Sequence, residues 1–243
     1  MDLSGIHPSW SLFFTADIAN LTREIMRKVL ADGFVTPNQT AMLRFLTTDL
    51  SASKVVILGQ DPYPQEGVAT GRAFEVGSLV SWQQPFRNTS LRNIVRALYA
   101  SRFDKILTFK EVRSLIGSDF PLLPPSKLFE FWEKQGVLLL NTSFSCRINK
   151  PGSHSAIWQL FTHELLNYVN QQQPELIWLL WGNHARLAVE HLSIKNGFYS
   201  THPMICHERP DDFLYGEINH FKVTSHLIDW VGQDIVAHTG RLF

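Results

Sequence analysis

Four short apolar runs divide the chain, and longer amphipathic segments lie between them. The runs are nearly continuous rather than alternating, which is typical of parallel strands covered on both faces. They are "KVVILG" (54–59), "GVLLLNT" (136–142), "ELIWLLWG" (175–182) and the weaker "GFYSTHP" (197–203). Each run is therefore predicted to be a buried strand.

Helical periodicity precedes and separates these runs. Apolar residues recur at spacings of three and four in residues 15–34, 85–103, 154–172 and 183–194. Alternating strands and helices predict a three-layer α/β/α fold in which helices cover a central four-stranded parallel sheet. A chain of 243 residues with 44% hydrophobic composition suits one large domain, which we expect to span residues 1–243.

Polar side chains stand where three of the predicted strands end. Asp61 follows the first strand, Asn141 lies at the end of the second, and His202 at the end of the fourth. Ligands of open parallel sheets bind outside the carboxyl ends of the strands, so the three side chains together predict a functional site. Taken singly, each has a plainer interpretation, because Gly59 and Pro62 suit an ordinary turn and a lone histidine is usually structural.

The charge distribution changes this picture in one place. Lys and Arg together number 22, as do Asp and Glu, so the net charge does not indicate a polyanionic partner. Residues 72–113, which we call the basic segment, nevertheless carry eight basic and three acidic side chains, a net charge of +5. This segment is either a solvated basic face or a patch that faces phosphates.

Several classes of protein are disfavoured by the cysteines and the apolar content. Two cysteines, Cys146 and Cys206, can hold neither a four-cysteine iron–sulfur cluster nor a disulfide scaffold. No apolar stretch approaches the roughly 18 residues of a membrane span, and the N-terminus lacks a signal-peptide pattern. We therefore expect a cytoplasmic monomer that has no contact with a membrane.

Histidines suggest a metal site at first sight. His202, Cys206 and His207 are potential ligands, but no second cluster is spaced to complete a site, so we expect no metal. His184 and His191, seven residues apart, are interpreted more simply as surface residues.

Five short motifs resemble those of the family 1 uracil-DNA glycosylases. They are "VVILGQDPY", "GRAFEV", "GVLLLNT", "LLWG" and "THP", in the order and near the spacing of that family. The resemblance covers roughly residues 8–232, and its first motif is the most specific. It implies that the protein flips uracil out of DNA and hydrolyses the bond between base and deoxyribose. This reaction initiates base-excision repair and needs neither cofactor nor metal.

The resemblance also implies a role for each matching residue. Asp61 would orient the attacking water and stabilise the cationic sugar, and His202 would donate to uracil O2 as charge builds on the leaving base. Both roles agree with elementary chemistry, since an oxocarbenium-like centre favours a nearby anion and a leaving anion favours a fixed donor. Ser90, with Thr89 as a second candidate, would hold a DNA phosphate.

The remaining matches concern recognition of the base. The Asn141 carbonyl would accept from uracil N3–H, and its NH2 group would donate to O4. Phe74 would stack on the flipped base, and Gln60 would line the pocket through its backbone. Tyr63 would exclude the 5-methyl group of thymine, a difference worth only about 1–3 kcal/mol unless the wall is rigid.

The sequence departs from the family pattern in two places. Pro64 stands where the family usually has a histidine that belongs to the DNA-backbone side of the site. The family's fourth motif, HPSPLS, has a serine and a proline that pinch the backbone and a leucine that enters the minor groove. Here the chain has "HPMICHERPDDFLYGEINHF" instead. Residues 203–219 also carry a net charge of −3, which opposes binding to phosphates.

A wedge for the minor groove could come from other residues of this altered loop. The candidates are Ile205 and the apolar cluster of Phe213, Leu214 and Tyr215. Phe213 and Leu214 could instead be buried against the following helix, as such residues usually are. If the wedge is weak, activity should favour single strands and U·G pairs over U·A pairs, because less pairing must be broken.

Two other functions stay open on the sequence alone. One is a catalytically weakened homologue that binds uracil, DNA or a proteinaceous glycosylase inhibitor. The other is a glycosylase with a shifted base or strand preference. The altered loop favours both, whereas Asp61, Asn141 and His202 together favour the enzyme, because a pure binder needs no carboxylate to orient water. The expected partner is uracil-containing DNA, single- and double-stranded, with an inhibitor as a further candidate.

Overall fold

The four apolar runs form the four strands of one parallel sheet in the computed structural model, which describes residues 5–232. Two very short strands pair separately. The strands are Val35–Thr36 (β1), Val55–Gly59 (β2), Val137–Asn141 (β3), Cys146–Arg147 (β4), Ile177–Trp181 (β5) and Asn196–Ser200 (β6). The helices are Ala16–Ala31 (α1), Gln39–Met42 (α2), Thr89–Phe103 (α3), Phe109–Leu115 (α4), Pro125–Lys134 (α5), Ser155–Gln172 (α6), Asn183–Ala188 (α7) and His220–Val223 (α8). Single 3-10 turns occupy Pro8–Trp10, Arg44–Thr47 and Leu50–Ala52.

The main sheet has the strand order β3-β2-β5-β6, and every neighbouring pair is parallel. Gly59, the last residue of β2, lies opposite Asn141, the last residue of β3. These two strands therefore end at the same level, and the residues that follow them meet at one edge. The short strands β1 and β4 form an antiparallel pair.

Helices cover both faces of this sheet. Alternate side chains of β2 point to opposite faces, as the period of a strand requires. Val55 and Ile57 belong to a core shared with α3, α5 and α8, and Val56 and Leu58 to a second core shared with α1 and α6. This arrangement confirms the predicted three-layer α/β fold with a four-stranded parallel sheet.

Several element bounds differ from the prediction. The helix expected over 183–194 ends at Ala188, and the fourth strand ends at Ser200, so that His202 lies in the loop beyond it. Neither α4 nor α5 was predicted, although Thr108 and Glu111 form a capping box at the start of α4 that the pattern T-x-x-E could have revealed. The predicted domain bounds 1–243 extend beyond the described residues at both ends.

The structure also shows the environment of the two cysteines. Cys146 is buried and Cys206 is half-buried, and both are free thiols. Burial raises the pKa of each thiol to about 11, which keeps both sulfurs protonated and poorly nucleophilic near neutrality.

Within residues 5–232, no helix combines the length and the apolar character that crossing a membrane requires.

Candidate active site

A cavity of about 190 Å3 lies at the carboxyl ends of β2 and β3, next to the loop that follows β6. Its volume is below the roughly 300–1,000 Å3 of sites for drug-sized ligands, and it suits a single heterocycle. Seven residues assigned to the site from sequence line it together: Gln60, Asp61, Tyr63, Phe74, Ser90, Asn141 and His202. Met204 lines it as well, whereas Thr89 and Ile205 lie outside the lining.

Asp61 presents an unpaired carboxylate oxygen. Its Oδ1 is buried and accepts no hydrogen bond from any described residue. Burial raises the pKa of this carboxyl group, while the backbone of Gly152 and the imidazole of His184 act in the opposite direction. A buried acceptor without a partner is costly for the fold, and it is suited to accept a proton or a hydrogen bond from a bound molecule.

His184 is exposed, as predicted for a surface residue, but its contacts with this region were not predicted from the sequence. Its Nε2 lies 2.7 Å from the Thr142 hydroxyl, which donates to the Gln60 carbonyl at 3.1 Å. Because that hydroxyl has one proton, His184 must donate through Nε2. Burial lowers the pKa of His184, and the charge of Asp61 opposes that shift. An exposed histidine is thus coupled to the strand ends that line the cavity, through contacts that no local sequence signal reveals.

Asn141 owes its position to a glycine in the neighbouring strand. Asn141 is buried, and a Cβ added to Gly59 would lie 2.4 Å from the Asn141 Oδ1. Only a residue without a side chain leaves room for the amide at this level of the sheet. The glycine of the first motif therefore keeps the amide of the third motif within the cavity.

His202 is held in one tautomer by its own loop. The backbone N–H of Met204 donates to His202 Nδ1 at 3.1 Å, so in the neutral ring the proton resides on Nε2. Burial lowers the pKa of His202, and the positive charge that His184 can carry lowers it further. Gly182 makes room for this ring, since a Cβ there would lie 2.9 Å from the His202 Cβ. The site thus holds a neutral imidazole with Nε2–H as its donor.

Phe74 forms the aromatic wall of the cavity. Its backbone has a φ of 65°, in the left-handed region that a bulky residue rarely adopts. Its ring centroid lies 5.2 Å from that of Trp181 and 6.0 Å from that of His202. Strain of this kind persists only where the surroundings enforce it, and it often marks a functional residue.

The basic segment does not form one open patch. The side chain of Arg72 is only 8% exposed and pairs with Glu75 (Nη1–Oε2 3.0 Å) and with Glu133 (Nη2–Oε2 2.6 Å). The Arg92 guanidinium lies over two phenylalanine rings, and Arg96 donates to a backbone carbonyl and to a tyrosine hydroxyl. These three cations support the fold, so the phosphate-facing interpretation does not extend to them.

The start of α3 faces the cavity. Tyr63 is hydrogen-bonded to Asn88, the cap residue of α3, and burial raises the pKa of its hydroxyl to about 12. Ser90 in the first turn is buried and lines the cavity, while Thr89 is exposed beside it. The N-terminus of a helix favours anions, which agrees with a phosphate near these two hydroxyls.

The altered loop exposes a different apolar pair from the one expected around Phe213. Phe213 and Leu214 are each only 4% exposed and belong to the core, where the Phe213 ring packs against that of Trp181 at 4.9 Å. The prediction that Phe213 or Leu214 could act as a wedge is therefore wrong, because a wedge side chain must be exposed in order to insert between DNA bases. Ile205 is 60% exposed and Met204 58%, so the accessible apolar side chains follow His202 directly.

The acidic side chains of this loop differ in their partners and exposure. Asp211 forms a two-fold ion pair with Arg209, with N–O distances of 2.6 and 2.8 Å. Asp212 is buried and satisfied by four hydrogen bonds. Outside this ion pair, the exposed carboxylates of the loop are those of Glu208 and Glu217.

The potential metal ligands of the loop are not clustered for coordination. No group of three or more His, Cys, Asp or Glu side chains within residues 5–232 is arranged to hold a metal ion. The Cys206 thiol instead accepts from the Asn93 amide at 3.4 Å and contacts the Pro203 carbonyl at 3.6 Å.

Comparison with known families agrees with this geometry. Residues 47–227, most of the chain, match the family model of the uracil DNA glycosylase superfamily. The chain belongs to this superfamily. The match contains every residue that lines the cavity.

Curated members of the superfamily are similar over different shares of the chain. The uracil-DNA glycosylase of Streptococcus mutans is 30% identical over 226 residues, covering 85% of this chain and 88% of that protein. The uracil-DNA glycosylase of Fusobacterium nucleatum is 36% identical over 151 residues, 62% of this chain. That second alignment spans 57% of the relative, which is less than two thirds of its length.

Solved structures share the fold. A variant of the mimivirus UNG in complex with UGI superposes with a TM-score of 0.70. The match covers 93% of this chain and 87% of that one at 23% identity. At this identity the likeness establishes the architecture.

Proposed function

We propose that this protein is a monofunctional uracil-DNA glycosylase, which hydrolyses the N-glycosidic bond of deoxyuridine in DNA and so initiates base-excision repair. One observation carries the proposal. A single small cavity is lined by Asp61, whose buried Oδ1 is unpaired, by Asn141 and by a neutral His202 whose Nε2–H is its donor. A carboxylate, a base-reading amide and a donor for the leaving group are what this hydrolysis requires.

The first part of the mechanism concerns the sugar. As the C1′–N1 bond breaks, positive charge builds on the deoxyribose, and ionised Asp61 stabilises it across a site of low dielectric constant. A water that donates to the free Oδ1 is held against C1′. Its oxygen forms the new bond, and its proton passes to Asp61. The carboxylate therefore needs a buried, unpaired oxygen, which it has.

The second part concerns the leaving base. The bonding electrons move onto uracil, and the developing negative charge lies largely on N1 and O2. His202 donates from Nε2 to O2 as a fixed dipole, in the manner of an oxyanion hole. A neutral ring serves this purpose because Nδ1 already accepts from the Met204 N–H and the orientation is set before the reaction.

Recognition of uracil follows from the remaining walls. Asn141 pairs with N3–H and O4, Phe74 stacks on the ring, and Tyr63 occupies the space of a 5-methyl group. Gln60 contributes its backbone. Ser90 and Thr89 at the start of α3 would bind the phosphate of the flipped nucleotide.

We further propose that the altered loop shifts the strand preference of the enzyme. Met204 and Ile205 stand in place of a serine–proline pinch, and Pro64 stands in place of a histidine. Contacts between the protein and the duplex therefore contribute less free energy to flipping the base out of the stack. Single-stranded and U·G substrates should then react faster than U·A substrates, because less base pairing opposes extrusion.

A proteinaceous inhibitor is the second partner that we propose. The mimivirus UNG of similar fold is in complex with UGI, and an inhibitor of this kind would cover the mouth of the cavity and compete with DNA. Inhibition of uracil release by added UGI, relieved by excess DNA, tests this. A cytoplasmic location and a monomeric state stay predictions.

The test of the function is uracil release from single-stranded, U·G and U·A oligonucleotides. Asp61→Asn should lower the rate by orders of magnitude while DNA binding persists. Asp119→Asn, at an exposed carboxylate outside the cavity, is the matched control and should keep full activity. If Asp61→Asn retains more than about a tenth of the activity, a barrier difference of roughly 1.4 kcal/mol, the assigned role is wrong. Absence of uracil release by the wild type would instead favour the binding homologue.

A further inference from the structure

The buried carboxylate of Asp212 is the most fully bonded group of the altered loop. Asp212 is only 2% exposed, and each of its oxygens accepts two hydrogen bonds. Oδ2 accepts from the Thr201 hydroxyl (3.0 Å) and the His207 N–H (2.9 Å), and Oδ1 from the N–H groups of Leu214 (2.8 Å) and Tyr215 (3.0 Å). These four bonds use the whole acceptor capacity of a carboxylate.

The two bonds to Oδ2 close the turn that carries His202. One comes from Thr201, directly before the histidine, and the other from His207, five residues after it. Thr201 is anchored twice more, since its N–H donates to the Asp211 carbonyl at 2.9 Å and its hydroxyl accepts from the Phe213 N–H at 3.0 Å. Both ends of residues 201–207 are therefore fixed to one atom.

Contacts inside the closed turn transmit this constraint to the imidazole. The Ile205 N–H donates to the His202 carbonyl at 3.0 Å, and the Met204 N–H donates to His202 Nδ1 at 3.1 Å. The Asn93 amide of α3 donates to the Pro203 carbonyl at 2.7 Å. If the turn opened, the Met204 N–H would leave Nδ1, and both the tautomer and the direction of Nε2–H would be lost.

We propose that Asp212 is a positioning residue for His202, whose carboxylate holds the imidazole donor in the direction needed to stabilise the leaving base. The proposal rests on the proposed glycosylase function. It concerns a residue outside the cavity lining, in the part of the chain where the family motif is replaced.

The charge of Asp212 supports this role. The N–H groups of Tyr215, His207 and Leu214 and the Thr201 hydroxyl lower the pKa of Asp212 against the effect of burial, so the group is ionised near neutrality. Burying a charge stabilises a fold little or not at all compared with a well-packed apolar residue, whereas a carboxylate that binds four donors specifies one geometry. The geometry specified here is that of the turn carrying His202.

The experiment compares Asp212→Asn with Asp211→Asn, which removes the same charge one residue away from an exposed group paired with Arg209. Single-turnover rates and KM are measured on single-stranded DNA that contains uracil or 5-fluorouracil. 5-Fluorouracil is a more acidic leaving group and depends less on a donor at O2. Asp212→Asn should lower the rate on uracil about 100-fold with little change in KM, as misplacement of a reacting group by about 1 Å does. The loss on 5-fluorouracil should be clearly smaller, and Asp211→Asn should behave as the wild type.

Thr201→Val removes the Thr201 bond to Oδ2 with little change of shape, and it provides the test if Asp212→Asn fails to fold. It should show the same dependence on the leaving group to a smaller degree. Equal losses on both leaving groups, or a lowered melting temperature with wild-type rates, would overturn the proposal.

A measurement that does not depend on enzyme activity tests this inference separately from the proposed function. The 15N chemical shifts of the His202 ring report which nitrogen carries the proton, and His202→Gln assigns the signal. Nε2 should be protonated in the wild type, and Asp212→Asn should yield a mixture of tautomers. An unchanged ring spectrum would overturn the inference, whether or not the wild type releases uracil.

Discussion

The two halves of the candidate site are held in place by different kinds of structure. The strand-end half, residues 59–63 with Asn141, follows directly from strands whose neighbouring residues are paired along a parallel ladder. The loop half, residues 201–217, lies beyond the end of β6 and is organised by side-chain bonds to one buried carboxylate. Backbone ladders do not depend on particular side chains, whereas a carboxylate can be removed by one substitution.

The sequence predicts that the family pattern is kept in the strand-end half and replaced in the loop half, and this difference in support would allow such a replacement. The position of Asp61 depends on the sheet, on which the whole fold depends as well. His202 needs only a turn of the correct shape, and here Asp212 supplies it together with Asn93. A loop can therefore be rebuilt around a new anchor as long as the imidazole keeps its place.

Among the tests of this comparison, we expect the largest effect on the free energy of unfolding. It should differ between a buried and an exposed apolar residue of the loop half. Phe213→Ala should lower the free energy of unfolding by about 3–5 kcal/mol, because the ring packs in the core. The control Ile205→Ala removes an exposed side chain and should change it by less than about 0.5 kcal/mol. Urea denaturation measures both. Equal stability of the two variants would show that Phe213 is not a core residue.

The second prediction concerns the strand-end half. Gly59→Ala should reduce uracil release about 100-fold, because the new Cβ would displace the Asn141 amide, which we propose to read the base. Gly5→Ala, at a glycine with open space around it, is the control and should leave the rate of uracil release unchanged. Rates and the inhibition constant of free uracil check this. Unchanged inhibition by uracil would mean that the amide does not depend on Gly59.

A smaller effect should distinguish duplex from single-stranded DNA. Ile205→Ala should lower kcat/KM on U·A duplexes by up to about 10-fold, since an exposed apolar side chain can fill the vacated stack. Single-stranded substrates should react at the wild-type rate. Ile218→Ala, which also removes an exposed isoleucine, serves as the control. A loss of the same size on both substrates would exclude a wedge.

The smallest predicted effect is on the pH dependence. Burial raises the pKa of Asp61, so the carboxylate takes up a proton at a higher pH than an ordinary aspartate, and the rate should fall on the acid side from there. His184 favours the ionised form of Asp61, and His184→Gln should therefore move the acid limb upward. Profiles of kcat between pH 4 and 8 measure the shift, with His191→Gln as the control. A downward shift would contradict the coupling.

Much of the site was predictable because its residues are attached to strong local patterns. Asp61 and Asn141 stand at the ends of apolar strands, and strands of one parallel sheet bring their carboxyl ends together whatever their order. Phe74 could be assigned from its motif, but not its left-handed backbone, which depends on the surrounding packing. His184 was interpreted as a surface residue because its partners, Thr142 and Asp61, are distant in sequence.

The sequence by itself determined the layered fold, the four parallel strands and the set of polar residues at their ends. Apolar runs of this length and composition have few other ways to be buried. Only the tertiary structure decided which residues of the altered loop are accessible, because Phe213 is buried by Trp181, which lies at the end of β5. It also decided that Asp212 binds backbone groups instead of facing DNA. Burial and hydrogen bonding depend on which residues the folded chain brings close together. The neighbours of the loop are distant in sequence, so they cannot be predicted from the residues of the loop alone.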